Sequence, residues 1–217
     1  MALAIRRRHD AAPSLAPLEG MTVRRETSAD FMSALQGKPA AEMARRMAAG
    51  HRAYVAWRGA EPAAWGWIAT RSADIGELGT TFDLPPGERY LWNFVTLAAH
   101  RGLGIYPRLV DAIVRAESGE GERFWIAYAP ENHASGSGIL KAGFRTVAEL
   151  SFNAEGRPAV QALDAEGGAA AARLLGLPLA DDDLAPCWRC VRAGHVDACA
   201  PGECCCDYQR AEIDCAA

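Results

Sequence analysis

Residues 88–117, ERYLWNFVTLAAHRGLGIYPRLVDAIVRAE, decide the fold of this chain. The first part, residues 90–97, is aromatic and β-branched, which is typical of a strand. The second part carries apolar residues at helical spacing, at positions 105, 109, 110, 113 and 114. Pro107 stands near the start of that pattern, where a missing N–H is tolerated. The stretch therefore predicts a strand, a short turn and a helix in succession.

The turn between strand and helix is Arg101-Gly102-Leu103-Gly104. The free N–H groups of a first helical turn and the helix dipole favour an anion, and glycines let it approach the backbone. The same Gly-x-Gly pattern also occurs in ordinary tight turns. The stretch lacks the Gly-Lys-Ser/Thr of a P-loop and the third glycine of a dinucleotide fingerprint. From the residues alone, a pyrophosphate site and a plain turn both stay open.

Two segments together carry a family resemblance. Residues 96–106, TLAAHRGLGIY, resemble the acyl-CoA signature Arg/Gln-x-x-Gly-x-Gly/Ala of the GNAT superfamily of N-acetyltransferases, although Tyr106 departs from the usual small residue. Residues 132–144 resemble the family's Asn-x-x-Ser/Ala segment and its Gly-Phe ending. The resemblance covers about residues 21–152. It implies an α/β (α+β) fold, with a mostly antiparallel, twisted central sheet flanked by helices and two central strands that splay apart at the CoA site.

The resemblance also implies acetyl-CoA as co-substrate and an amine as acceptor. The residues that we expect to bind CoA are Val95, Thr96, Leu97, Arg101, Gly102, Leu103, Gly104, Ile105, Tyr106, Asn132 and Ser135. Asn132 is explained equally well as a helix N-cap.

The catalytic groups usual in the family are absent. The family often has a tyrosine four residues after the Ser135 position, where this chain has Ile139, and a carboxylate in the central strand, where it has Asn93. The catalytic candidates are therefore Tyr106, Asn93 and the loop carboxylate Glu77. His100, His133 and Tyr128 are further substitutes, and a water chain can also remove the amine proton.

Three functions follow as hypotheses. The first is an acetyl-CoA-dependent N-acyltransferase that acts on a small amine or a peptide amine by direct attack in a ternary complex. The second is a non-catalytic acyl-CoA-binding regulatory module, which Asn93 and Ile139 favour. The third is a metal- or metalloid-responsive protein that acts through its cysteine-rich end. Fold analogy is weak evidence for a substrate.

Composition limits the partners. The chain has 217 residues, is 50% hydrophobic and carries a net charge of −4 with a pI of about 5.8. These values give no reason to expect nucleic acid or an anionic membrane as a partner, and no apolar run is long enough for a membrane span. We expect a cytoplasmic protein, and a homodimer is left open.

The domain organisation is expected to have four parts. Residues 1–20 form a loose N-terminal extension, residues 21–163 the acyl-CoA-binding domain, residues 164–186 a linker and residues 187–217 a tail. Within the domain we expect two helices separated by Gly37-Lys38-Pro39, a hairpin over residues 51–70 and a closing hairpin from residue 145 onward.

All seven cysteines lie in the tail. Cys187-x-x-Cys190 followed by Cys199 and Cys204 is a ligand set suited to tetrahedral Zn²⁺, with Cys205, Cys206 or His195 as alternatives for the fourth position. An iron–sulfur cluster, a disulfide knot and a soft-metal scavenger are the competing interpretations. We expect zinc here because so short a segment has too little apolar surface to fold alone.

Overall fold

The computed structural model describes residues 1–180 and 184–185. In this part of the chain the strands are β1 Ala2–Arg7, β2 Met21–Glu26, β3 His51–Arg58, β4 Glu61–Ala69, β5 Ser72–Ile75, β6 Thr80–Asp83, β7 Glu88–Thr96, β8 Arg123–Tyr128, β9 Arg145–Phe152 and β10 Pro158–Ala162. The helices are α1 Ala29–Gln36, α2 Ala40–Ala48, α3 Ile105–Glu117, α4 His133–Lys141 and α5 Ala165–Leu175, with a 3-10 turn at Ala98–His100.

Eight of these strands form one sheet in the order β10-β9-β1-β8-β7-β4-β3-β2. Strands β7 and β8 are parallel, and every other neighbouring pair in this sheet is antiparallel. Strands β5 and β6 form a separate antiparallel hairpin. The mostly antiparallel sheet flanked by helices confirms the expected fold class.

The alternation of side chains along β3 shows how the two faces of the sheet are covered. Tyr54 and Ala56 lie in the apolar cluster that contains α3 and α4 residues such as Ile105 and Ile139. Ala53 and Val55 point the other way, into the layer under α1 and α2. The β5–β6 hairpin and α5 continue that second layer toward β9 and β10. Helices α3 and α4 therefore share one face of the sheet.

The expectation that residues 1–20 form a loose extension is wrong for β1. Ala2–Arg7 lies inside the sheet, between β8 and β9, and Leu3, Ala4 and Ile5 are completely buried. Its charged end is compatible with burial because Arg6 pairs with Asp111 of α3 at 2.7 Å. Only residues 8–20, which join β1 to β2, run outside the regular elements.

The expectation of a linker over residues 164–186 is wrong for α5. Asp164 caps this helix by accepting a hydrogen bond from the Gly167 N–H at 2.6 Å. A Cβ at Gly167 would lie 2.6 Å from Val147, and one at Gly168 would lie 2.2 Å from the Ala162 side chain. The small residues therefore let the helix pack directly on β9 and β10. The connection after β4 also forms the β5–β6 hairpin, although its glycines and prolines indicate an irregular segment.

Several local predictions are confirmed. Helices α1 and α2 are separated at residues 37–39, and Ser28 caps α1 by accepting from the Phe31 N–H at 3.1 Å. The β3–β4 and β9–β10 hairpins form where the sequence places them. No helix among the described residues has both the length and the apolar character needed to span a membrane. The predicted zinc ligands Cys187, Cys190, Cys199 and Cys204 lie outside the described residues.

Candidate functional site

The site begins where β7 and β8 separate. The two strands are paired from Glu88 and Arg123 to Leu91 and Ile126. Both continue beyond these last residues without pairing to each other. A cleft of about 630 Å³ opens at this point, with Trp92 lining it among the residues at its inner end. The expected splay of two central strands is therefore present.

A bulge in β7 accompanies this separation. Trp65 pairs with Val95 and Trp67 with Trp92, so β7 has one more residue than β4 over this interval. Asn93 takes up the extra length with a φ of +52°. The ring of Phe94 lies over Gly66, where an added Cβ would come within 2.1 Å of it. Gly66 is therefore required for the close packing that holds the bulge.

The glycine turn forms the next part of the cleft. Gly102 and Gly104 have φ values of +76° and +70°, and α3 begins directly after them. No backbone carbonyl of the described residues accepts from the N–H groups of residues 102–106. An added Cβ at Gly102 would meet no atom within 4 Å, so this turn faces open space. The turn thus presents free donors and the positive end of the α3 dipole to the cleft.

Helix α4 supplies the opposite wall. Asn132 is its N-cap, because the Oδ1 atom accepts from the Ser135 N–H at 2.9 Å. The hydroxyl of Tyr106, on α3, lies 3.3 Å from the Ser135 Oγ. A Cβ at Gly138 would come within 2.4 Å of the Tyr106 ring, so glycine makes room for it. Burial raises the pKa of Tyr106 to about 12, with the Ser135 hydroxyl acting in the opposite direction.

Most of the residues expected to bind CoA line this cleft. Those that line it are Thr96, Arg101, Gly102, Gly104, Ile105, Tyr106, Asn132 and Ser135. Val95 and Leu97 pack instead against the layer under α1 and α2, and the Leu103 side chain is 41% exposed outside the lining. The Nε atom of Arg101 donates to the Thr96 carbonyl at 3.2 Å, which ties the turn to the end of β7.

The catalytic candidates do not converge. Tyr106 and Asn93 both line the cleft. The Asn93 Oδ1 accepts from the Trp65 indole N–H at 3.3 Å, and an amide has no carboxylate to take up a proton. Glu77 is exposed in the turn between β5 and β6 and is not part of the cleft lining. Among these three, Tyr106 is therefore the one with a titratable group inside the cleft, and of the further substitutes His100 also lines it.

A histidine outside the cleft holds one of its walls. The Trp92 indole N–H donates to the Nδ1 of His51 at 3.1 Å. Burial lowers the pKa of His51, the Arg46 guanidinium lowers it further, and Asp74 opposes them. Arg46 lies over the Trp92 ring, 4.8 Å from its centroid. Neutral His51 is the form that accepts from Trp92.

Sequence reasoning missed several residues of the cleft. Leu15 and Arg108 line it together with Lys141, which lies in the second matching segment but has no role in the motif. Leu15 lies in the presumed extension and gives no local signal. The bulge did have a signal, because Gly66 interrupts a strand of large side chains and such a glycine marks close approach of another chain segment.

No group of three or more potential metal ligands occurs among residues 1–180 and 184–185. A zinc site on the expected cysteines would lie beyond this part of the chain.

Comparison with known proteins finds similarity to solved structures but none to a family model or a curated sequence. No family model matches the chain, and no curated protein matches it. A GCN5-related N-acetyltransferase from Kribbella flavida matches with a TM-score of 0.48 and 16% identity, over 67% of this chain and 53% of that one. An acetyltransferase of the GNAT family from Colwellia psychrerythraea matches with a TM-score of 0.45 and 16% identity, over 67% of this chain and 52% of that one. This chain thus spans about half the length of both.

A third structure is an acetyltransferase from Bacillus subtilis in complex with CoA. It matches with a TM-score of 0.43 and 18% identity, over 61% of this chain and 79% of that one. Over about two thirds of its length, the chain is similar in fold to solved acetyltransferases of the GNAT family.

Proposed function

We propose that this chain is an acetyl-CoA-dependent N-acyltransferase that transfers an acetyl group to an amine. The observation that carries the proposal is a continuous cleft with two chemically different parts. One part is a gap between parallel strands, and the other is the glycine turn at the start of α3. CoA has the same two parts in the same order, an amide-containing pantetheine arm and a pyrophosphate.

The gap between the strands suits the pantetheine arm. Beyond Leu91, the edge of β7 that faces β8 has no strand partner, although β7 continues to Thr96. Backbone N–H and C=O groups need hydrogen-bond partners, and an extended ligand with amides can supply them as an added strand does. A thioester held in this way would place its carbonyl near Trp92 and Asn93, where the gap begins.

The glycine turn suits the pyrophosphate. The N–H groups of residues 102–106 have no backbone acceptor among the described residues, and Pro107 removes a donor only after them. Gly102 leaves open space beside these donors. Arg101 lines the same part of the cleft and adds a positive charge.

The reaction that we propose needs no covalent intermediate on the protein. The neutral amine attacks the carbonyl carbon of the thioester, the C–S bond breaks, the amine nitrogen loses a proton to water, and the sulfur leaves as a thiolate that is then protonated. A pKa of about 12 keeps Tyr106 protonated at neutral pH. Because an ordinary thiol has a pKa of about 8.5, the phenol stabilises the leaving thiolate by hydrogen bonding rather than by giving up its proton.

One observation favours the second candidate function, a binding module without turnover. The titratable group that the family places in the central strand is replaced by Asn93, and the described residues offer no carboxylate in the cleft lining in its place. Positioning can still supply much of the rate of an uncharged attack, so the acyltransferase remains the proposal.

The decisive experiment changes one charge at the glycine turn. Gly102→Asp and Gly102→Asn have the same size, and both residues tolerate a positive φ. We expect calorimetry to show CoA binding weakened much more by the aspartate than by the asparagine. The same pair at Gly59, a turn glycine with a φ of +58° outside the cleft, is the control. Equal affinities of the two Gly102 variants for CoA would overturn the assignment.

Activity is then tested with acetyl-CoA and a panel of amines by following release of the free thiol. Turnover with any amine, lost in Gly102→Asp, supports the acyltransferase. Tight CoA binding without thiol release from any amine class supports the binding module instead.

A further inference from the structure

The inner end of the cleft depends on how Trp92 is held. Trp92 follows Leu91, the last residue of β7 that pairs with β8, and precedes Asn93, where the bulge begins. It pairs with Trp67 of β4 and packs, like Trp67, in the layer under α1 and α2. Its ring therefore lies on the opposite face of the sheet from α3 and α4, although residue 92 lines the cleft. Whatever fixes this ring also fixes the backbone where the gap between β7 and β8 begins.

A hydrogen bond to His51 holds the ring of Trp92. The Trp92 indole N–H donates to the His51 Nδ1 at 3.1 Å, and the two rings meet edge to face with their centroids 5.1 Å apart. An imidazole nitrogen accepts a hydrogen bond only while it carries no proton. A proton on Nδ1 would therefore set two N–H donors against each other and break this contact.

His51 is half-buried between two pockets of about 330 Å³ each. The first lies at the β5–β6 hairpin, and Asp74 is the charged residue in its lining. The second lies between the ends of β2, α2 and β4, and the charged residues in its lining are Arg25, Glu26, Arg52 and Arg71. Protons can therefore reach the imidazole from solvent while the chain stays folded.

The charged groups around His51 act in opposite directions. Burial lowers the pKa of His51 and the guanidinium of Arg46, on α2, lowers it further, whereas Asp74 raises it. Glu26 is occupied by the backbone, because its Oε1 accepts from the N–H groups of residues 27 and 28 at 2.8 Å. Neutral His51 is therefore the form present at neutral pH, and an imidazolium would be attracted by Asp74 and repelled by Arg46.

We propose that His51 is a positioning residue whose protonation releases Trp92 and thereby slows acetyl transfer. The inference rests on the proposed function, since it takes the thioester carbonyl to the gap beside Trp92. While His51 is neutral, it holds the indole and the gap keeps its shape. Once protonated, its ring turns from the indole N–H and from Arg46 toward Asp74, and Trp92 loses its fixed position. Transfer thus depends on pH through a residue outside the cleft, in addition to the ionisation of the amine.

The first test follows both rings by NMR in the full-length chain without ligand, from pH 8 down to pH 5. The indole signal of Trp92, identified by its absence in Trp92→Phe, should shift with the same midpoint as the ring signals of His51. It should not shift in His51→Asn, because an asparagine oxygen is bonded to Cγ, as Nδ1 is, and accepts without titrating. A Trp92 signal that does not follow the His51 titration would overturn this inference and leave the proposed function intact.

The variant Asp74→Asn tests the direction of the charge effect. It removes the carboxylate that favours the imidazolium and keeps the size of the side chain. The midpoints of His51 and Trp92 should therefore both move to lower pH. Movement of the His51 midpoint alone would also overturn the coupling between the two rings.

The second test measures acetyl transfer over the same pH range in the parent chain, His51→Asn and His51→Leu. The ratio of the parent kcat to the His51→Asn kcat cancels the ionisation of the amine. One pH unit below the His51 pKa found by NMR, about a tenth of the rings are neutral, so the parent should be about tenfold slower than His51→Asn. The two should be alike at pH 8. His51→Leu offers no acceptor to Trp92 and should be slow at every pH.

The controls change other histidines in the same way. His9 is exposed, so His9→Asn should retain the pH dependence of the parent chain. His100 lines the cleft and is the competing cause of an acid decline. A decline that disappears in His100→Asn and persists in His51→Asn would overturn the inference. Absence of transfer to every amine at pH 8 would overturn the proposed function and, with it, the effect of His51 on transfer.

Discussion

Replacing Asp111 by alanine tests how firmly β1 belongs to the fold. The Arg6 guanidinium is only 4% exposed and bonds Asp111 Oδ1 at 2.7 Å and the Ala142 carbonyl at 2.8 Å through the same nitrogen, Nη1. Its Nε atom is buried without a partner in the described structure. Asp111 itself is 6% exposed. One carboxylate therefore balances a buried cation that joins β1 to α3 and α4.

The expected loss follows from this burial. Removing one partner of a buried ion pair leaves an uncompensated charge and lowers the free energy of unfolding by about 3–5 kcal/mol. A domain is typically stable by about 5–15 kcal/mol, so Asp111→Ala should fold but unfold at much lower denaturant concentration. The matched control is Arg115→Ala. Arg115 bonds the same carboxylate at 2.8 Å, but its side chain is 60% exposed, so a loss of at most about 1 kcal/mol is expected.

Urea unfolding followed by tryptophan fluorescence measures both losses without adding salt. The double variant Arg6→Met with Asp111→Leu removes both charges and should regain most of the stability, because apolar pairs can replace buried ion pairs. If Asp111→Ala loses no more than Arg115→Ala, the reasoning is refuted. The strand would then be held by its ladder and by apolar burial alone.

Two other changes test the chemistry and the wall of the cleft. Tyr106→Phe should lower kcat with acetyl-CoA by about ten- to hundredfold, the value of a hydrogen bond to a charged atom. Because the pKa of Tyr106 is about 12, no alkaline limb of the pH–rate profile below about pH 11 should depend on this residue. Loss of such a limb in the variant would contradict the role assigned to Tyr106. The pKa of His51 is lowered in the folded protein, so as the pH falls the unfolded chain takes up a proton at this residue before the folded chain does. The free energy of unfolding should therefore decrease as the pH drops below about 6.5. His51→Gln keeps an acceptor for Trp92 without a titrating ring and should remove that part of the pH dependence, measured by urea unfolding at pH 5 and pH 8; an unchanged dependence would show that other groups cause it.

The elements that the sequence predicts well are those whose signals are local. The β7–turn–α3 unit carries its strand residues, its two glycines and its helical periodicity within 30 residues, so each signal reinforces the next. Ser28 as an N-cap and the hairpin at β3 and β4 are predicted for the same reason. The glycine turn, to which we assign the pyrophosphate, is therefore predictable from its own residues.

The elements that the sequence misses depend on distant partners. Strand β1 is only six residues long and ends in two arginines, and its neighbours β8 and β9 lie more than 100 residues away. Arg6 is compatible with burial because it bonds Asp111 and the Ala142 carbonyl, and the sequence around Arg6 gives no sign of these distant partners. Helix α5 looks like a linker because it is rich in alanine and glycine, yet these small residues are what lets it approach Val147 and Ala162. Leu15 is missed as a cleft residue for the same reason, because the segment that contains it follows β1 and reaches the cleft only when β1 lies inside the sheet.

The position of Ile139 in α4 shows why the absence of a tyrosine there is weak evidence against catalysis. Ile139 is completely buried in the cluster shared by α3, α4 and the sheet, so this position faces the core rather than the cleft. The phenol of Tyr106 instead reaches α4 from α3, and its oxygen lies 3.3 Å from Ser135 Oγ. Gly138 admits the ring, since any side chain there would collide with it. The glycine at position 138 thus makes room for the large side chain at position 106. The Tyr106 hydroxyl then lies at the wall of the cleft, although position 139 supplies no hydroxyl. An isoleucine at position 139 is therefore no argument against the proposed acyltransferase, and Tyr106 is the residue whose replacement tests assistance to the leaving thiolate.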